Sequence, residues 1–142
     1  MNMKKVNVDA GMYGYWEELV KRFGSQDEVI EMMKKACRLA PVLMKTFNSE
    51  ATRKAEEEAK AKGETYTMVA FDFDSQQEKA MTEFLSHYKT ENEGIESLIN
   101  MYKLADLILA SCALHLSWVK DEKQIELTPL QLHELMDARI GA

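Results

Sequence analysis

The sequence predicts a mainly α fold: a compact bundle of five or six helices around a central apolar helix, with one minor β element. The first observation behind this prediction is the segment 95–119, which contains no glycine or proline and is apolar on more than one side of a helix. A helix that is apolar nearly all round is buried in a core or in a bilayer. Polar residues such as Lys103 and Asp106 leave its uncharged runs too short for a membrane span. We therefore place the central helix at about 94–119.

The second observation is an ordinary globular composition. The chain has 142 residues, of which 46% are hydrophobic and 30% are charged, and this profile is typical of one soluble domain. We predict a single helical domain over 1–142. The formal net charge of −6 argues against direct nucleic-acid binding and against anionic membranes, because both need a basic face on the protein.

The cysteines and the N-terminal residues indicate the compartment. Cys37 and Cys112 are the two cysteines, and both lie inside apolar helical patterns, where a free thiol packs as a small hydrophobic group. So few cysteines do not form a disulfide framework. The opening residues M-N-M-K-K-V-N-V-D lack the apolar stretch of a secretory signal. We therefore expect a cytoplasmic protein.

The first elements along the chain are a short extended segment and a helix. Val6 and Val8 alternate with polar residues, which predicts a strand or an extended arm over about 5–9. Apolar residues at helical spacing follow, and Gly24 ends that helix, since glycine readily adopts the conformation of a helix C-cap.

Two more helical segments follow. Ser25 and Glu28 form a capping box at the start of the second helix. Pro41 lies inside its apolar pattern, so we expect a kink or a split there, because proline removes one backbone hydrogen bond. Residues 49–64 have no large apolar side chain but carry opposite charges at i,i+4, such as Arg53–Glu57. We predict a polar helical segment that is loosely docked and mobile.

The minor β element is predicted at about 65–73. Its sequence, T-Y-T-M-V-A-F-D-F, is rich in aromatic and β-branched residues. A single strand needs a ladder partner for its backbone groups. The segment 5–9 or the same strand in a second copy would supply that partner.

The remaining elements are helices. Ser75 and Glu78 form a capping box before the helix that precedes the central one. Thr128 and Gln131 flank Pro129 as N-cap and N3 residues of the last helix. Its buried stripe is predicted to consist of Leu132, Leu135, Met136 and Ile140.

One candidate catalytic motif is T-M-V-A-F-D-F-D-S at 67–75. It resembles motif I of the haloacid-dehalogenase-like phosphohydrolases, a hydrophobic strand that ends in Asp-x-Asp. The resemblance implies Asp72 as nucleophile and Asp74 as acid/base with magnesium between them. Ser75 stands where the family has glycine, and helices follow where it has further strands. The alternative is a strand that ends in two solvated aspartates, with Asp74 or Ser75 capping a helix.

A second candidate combines D-E-V-I-E at 27–31 with L-A-D-L-I-L at 104–109. Together they look like the all-α nucleotide pyrophosphohydrolases of the MazG type, which hold magnesium between carboxylates of two helices. The resemblance implies Glu28, Glu31 and Asp106 as the magnesium-binding catalytic residues. Lys103 stands where the family has its fourth carboxylate. The alternative is a capping Glu28, a surface Glu31, and an Asp106 paired with Lys103 or with a neighbouring helix.

A third candidate is a zinc site at Cys112 and His115, which stand at i,i+3 and so share a helical face. Cys37, His87 and His133 are the residues that would complete it. The alternative is a buried thiol and a core histidine.

No complete catalytic set emerges, so we favour a non-enzymatic function. We predict a small accessory, adaptor or inhibitor protein that acts by protein–protein contact and self-associates. Ala110 and Ala113 give one stripe of the central helix a small-residue middle, which lets a neighbouring helix of this chain or of a second copy approach closely. The magnesium-dependent enzyme is the alternative. The candidate partner-binding residues are the aromatic Tyr13, Tyr15 and Trp16, and the acidic Glu56, Glu57 and Glu58.

Overall fold

The computed structural model describes residues 3–47, 50–63, 73–114 and 120–141. Within these ranges the chain forms six helices and one two-stranded sheet, as the sequence predicted. The elements in chain order are β1 (Lys4–Asp9), α1 (Ala10–Phe23), α2 (Gln26–Phe47), α3 (Glu50–Ala61), α4 (Ser75–Leu85), α5 (Glu91–Leu114), β2 (Glu122–Leu127) and α6 (Pro129–Ile140).

The central position of the apolar helix is confirmed. α5 lies against α2, α4, α6 and β1, and residues on several of its sides are fully buried because the segment is apolar on more than one face. The predicted end of this helix at 115–119 lies outside the described residues. No described helix combines the length and the apolar character that a membrane span requires. The fully buried residues of α5 include Leu98, Met101, Leu104, Ala105 and Ile108.

The described sheet contains a strand that the sequence analysis did not predict. β1 confirms the extended segment at 5–9, and its partner among the described residues is the antiparallel β2. Val6 and Ile125 face each other in the register and are 1% and 2% exposed, so one face of the sheet covers the core. The predicted strand at 65–73 lies outside the described residues except for Phe73.

The helix ends follow the sequence in most places. Gly24 has a φ of 95° and donates its N–H to the Val20 carbonyl, so it ends α1 as predicted. α2 is not split at Pro41, since one helix runs from Gln26 to Phe47. The capping box of α4 is formed by Asp74 and Gln77 and not by Ser75 and Glu78. The helix therefore begins one residue earlier than a Ser75 cap implies, with a carboxylate cap instead of a hydroxyl cap.

α6 starts at the predicted residue, but the face of the helix that is buried differs from the predicted one. Thr128 and Gln131 form its capping box around Pro129. Its most buried residues are Gln131, at 9% exposure, and Leu135, which is fully buried. Of the predicted buried stripe, Met136 and Ile140 are instead exposed, at 46% and 79%, and Leu132 is half-buried.

Candidate functional site

The candidate site is an apolar stripe on the outer face of α6. Among the described residues, four large hydrophobic side chains are exposed, and three of them, Leu130, Met136 and Ile140, lie on this helix. Met136 and Ile140 lie on the same face of the helix. Residues three or four apart on a helix share a face. We call the resulting line of apolar residues on α6 the α6 seam: Pro129, Leu132, Met136 and Ile140.

A groove of about 410 Å³ runs beside the α6 seam, between α6 and α5. Leu109, Cys112 and Ala113 line it from α5, opposite the first three residues of the seam. Lys4 and His133 are the polar side chains among its described lining. The groove places three residues of the seam beside apolar side chains of α5, and exposed apolar surface of this kind marks interaction sites on soluble proteins.

Polar contacts hold α6 in the rotation that exposes the seam. The Gln131 amide donates to the Asp27 carboxylate at 2.6 Å and accepts from Gln26 at 3.0 Å. On one flank, Lys34 of α2 bridges to Glu134 at 3.1 Å. The hydrogen bonds to the carboxylates, that of Glu31 first, raise the pKa of Lys34.

On the other flank, the Arg139 guanidinium donates to the Asp106 carboxylate of α5 at 2.6 and 2.8 Å. The same guanidinium lies over the Tyr102 ring at 4.3 Å from its centroid. These contacts on both flanks and at Gln131 fix the rotation of α6. Leu135 is therefore buried in the core, and Met136 is exposed to solvent.

The predicted aromatic partner-binding residues lie largely in the protein's own core. Trp16 is buried, at 5% exposure, while Tyr13 and Tyr15 are half-buried and pack against the core. The Tyr15 hydroxyl donates to the Ser97 carbonyl at 2.9 Å, and burial raises its pKa far above the usual range. Trp16 is thus largely covered by this chain itself, and partner contacts by Tyr13, Tyr15 and Trp16 stay a prediction.

Tyr15 also borders a larger cavity of about 520 Å³, which Arg22, Tyr88, Glu93 and Ser97 help to line. Two of its charged residues pair with each other, since Arg22 contacts Glu93 at 3.1 Å, and Arg22 also lies over the Tyr88 ring at 4.7 Å. Glu18 and Lys21 line the cavity as well, so it carries two acidic and two basic residues and favours no charged ligand.

The structure does not assemble the predicted magnesium site. Glu28 and Glu31 border a small pocket at the start of α6, and Glu31 pairs with Lys34 at 2.7 Å. Asp106 lies on α5 and is paired with Arg139. The described residues contain no group of three or more His, Cys, Asp or Glu side chains placed to hold a metal ion. The alternative interpretation of Asp106, a pair with a neighbouring helix, is thus the one observed.

The other candidates are only partly within the described ranges. Asp72 and His115 lie outside them, so the Asp72–Asp74 and Cys112–His115 sites stay untested predictions. Asp74 caps α4, and Cys112 is a free, half-buried thiol beside the groove.

The predicted acidic partner-binding residues lie on α3, whose main described neighbour is α2. Glu57 and Glu58 are exposed, and Glu56 is half-buried. Partner contacts by these three carboxylates stay a prediction.

Sequence reasoning missed the α6 seam because it assigned Leu132, Met136 and Ile140 to the core together with Leu135. The helical positions of these residues indicate the difference. Leu135 and Ile140 are separated by a large angle around the helix axis, so one buried stripe does not contain both. Comparisons with known protein families, curated proteins and solved structures find no match for this chain.

Proposed function

We propose that this chain is a small accessory, adaptor or inhibitor protein that acts by protein–protein contact through the α6 seam. The observation that carries the proposal is the exposure of Met136 and Ile140, at 46% and 79%, on a helix face beside an apolar groove. Burying a fully exposed large apolar side chain is favourable by about 1.5–3 kcal/mol relative to leaving it in water. A partner surface recovers that free energy when it covers the seam.

The remaining features support this class of function. The net charge of −6 favours protein partners over nucleic acid. Both cysteines are free, which favours a reducing compartment, and we place the protein in the cytoplasm. No described carboxylate cluster supports the magnesium-dependent alternative.

The test is site-specific photo-cross-linking in cells that produce the chain. A photoreactive phenylalanine analogue replaces Ile140 in one variant and Leu130 in a matched control. Leu130 is also exposed on α6, at 63%, but it lies outside the seam and borders a different pocket. We expect protein adducts from position 140 and few from position 130. Equal adduct yields, or none at position 140, would overturn the proposal.

A further inference from the structure

We propose that the α6 seam is covered by the α6 seam of a second copy of this chain, with the two helices antiparallel. This inference rests on the proposed function, because it takes the seam to be an interaction surface. It adds the occupant and the arrangement. A two-fold dimer uses the same patch on both copies, so the patch must be complementary to itself.

The spacing of the seam meets that requirement. The helix has 12 residues and is roughly 18 Å long at 1.5 Å per residue. When one copy is reversed against the other, Pro129 falls opposite Ile140 at each end. Leu132 then falls near Met136 of the second copy on either side of the centre. The apolar residues therefore meet apolar residues along the whole contact.

The charges at the edge of the seam fit the same arrangement. His133 and Asp137 lie one turn apart, 3.4 Å from each other and 65% exposed. Reversal about the same centre places His133 of each copy beside Asp137 of the other, on one edge of the contact. Two such pairs form, because the symmetry repeats them. A parallel arrangement lacks these reciprocal pairs and aligns the two helix dipoles unfavourably.

Lys4 adds a second complementary feature. It lines the groove beside Pro129, at the N-terminal end of α6, and takes part in no salt bridge within the described ranges. Antiparallel seating brings the C-terminal end of the second α6 to this place. The last carbonyls of a helix carry partial negative charge and interact favourably with a lysine. Ala113, small and exposed on α5, leaves room for the approach.

The contact is short, so the dimer is expected to be weak. One 12-residue helix with its groove gives an interface at the small end of the range, which corresponds to a dissociation constant on the order of micromolar or weaker. Sedimentation velocity across a concentration series should show the 16.3 kDa chain converting to a species of twice that mass. The double variant Met136→Lys, Ile140→Lys should stay monomeric, while Leu130→Lys should associate like the wild type.

The arrangement is tested by mixing two charge variants. His133→Asp alone and the double variant His133→Lys, Asp137→Lys each place like charges in contact in an antiparallel homodimer, so each should associate at least several-fold more weakly than the wild type. Mixed together, they form opposite-charge contacts at both places, and association should recover. Each chain keeps its own unfavourable i,i+4 pair in the mixture, so recovery reports contacts between chains only.

The possible results distinguish a failure of the dimer from a failure of the proposed function. A wild type that stays monomeric throughout the series overturns the second copy as occupant, and adducts from position 140 to other proteins would then leave the proposed function standing. Dimerisation without recovery in the mixture overturns the antiparallel arrangement. Dimerisation that Met136→Lys, Ile140→Lys leaves unchanged overturns the seam as the contact. Circular dichroism of each variant confirms that it is folded.

Discussion

At the residue scale, two tyrosine hydroxyls near Ser97 are predicted to differ in their effect on stability. The Tyr15 hydroxyl donates to the Ser97 carbonyl at 2.9 Å, whereas the Tyr88 hydroxyl is buried with no hydrogen-bond partner among the described residues. Tyr15→Phe should lower the free energy of unfolding by about 0.5–1.5 kcal/mol, and Tyr88→Phe should leave it unchanged or raise it. Urea denaturation of both variants measures the difference. An equal loss in the two variants would contradict the assignment.

The Cys37 thiol makes stability depend on pH in the alkaline range. Burial raises the pKa of this thiol from 9.0 to about 11. Below pH 9 the thiol is neutral in both the folded and the unfolded chain, so its contribution is fully present. Between pH 9 and about 11 only the unfolded chain ionises, so the free energy of unfolding falls.

Cys37→Ala should remove that part of the alkaline loss. The comparison is the slope of unfolding free energy against pH in the wild type and the variant, because the cavity left by the smaller side chain shifts all points alike. Cys112→Ala is the comparison variant: burial also raises the pKa of this half-buried thiol, but less extensively than for the fully buried Cys37, so a smaller change of slope is expected. Identical slopes in the wild type and Cys37→Ala would mean that the thiol is not desolvated.

At the element scale, the α5–α6 contact gives Asp106 a structural role. Its carboxylate pairs with Arg139, but its side chain is 55% exposed, and exposed ion pairs contribute at most about 1 kcal/mol. Asp106→Asn should therefore lower the free energy of unfolding by no more than that amount. Arg139→Ala should cost more, because it also removes the packing over the Tyr102 ring. Thermal unfolding compares them. Loss of a magnesium-dependent activity in Asp106→Asn would instead support the enzymatic alternative.

The helices were predictable because their information is local. Apolar spacing identified α2 and α5, and the capping residues Gly24 and Thr128 placed helix ends within a residue or two. β2 was missed because it contains only two apolar residues, Ile125 and Leu127, among polar and charged ones. Its partner is about 120 positions away in sequence, as the pairing of Lys4 with Leu127 shows, and no local pattern specifies such a pairing.

The rotation of α6 was beyond local information for the same reason. Four apolar residues cover more than one face of a helix of this length, so hydrophobicity alone does not decide which of them is buried. Long-range polar contacts decide it: Gln131 to Asp27 on α2 and Arg139 to Asp106 on α5. The candidate site follows from that rotation, so local sequence patterns do not reveal it.

At the scale of the whole molecule, the described residues combine a buried apolar core with an exposed apolar surface on α6. α5 and α2 bury their apolar faces against each other and against the sheet. The exposed apolar residues gather on α6, where Met136 and Ile140 lie beside the groove that α5 completes. A molecule built this way is folded as a single chain but has an apolar surface left to cover.

The most direct test of whether a partner covers this surface is hydroxyl-radical footprinting of α6, which measures the solvent accessibility of its side chains. It is carried out on dilute protein, on concentrated protein and in extract from the producing cells. Labelling of Met136 and Ile140 should fall in the concentrated sample or in the extract relative to the dilute one, while Leu130 keeps its labelling in all three. If the labelling of Met136 and Ile140 is the same in all three samples, neither a second copy nor another protein covers the seam, and the chain does not act through it.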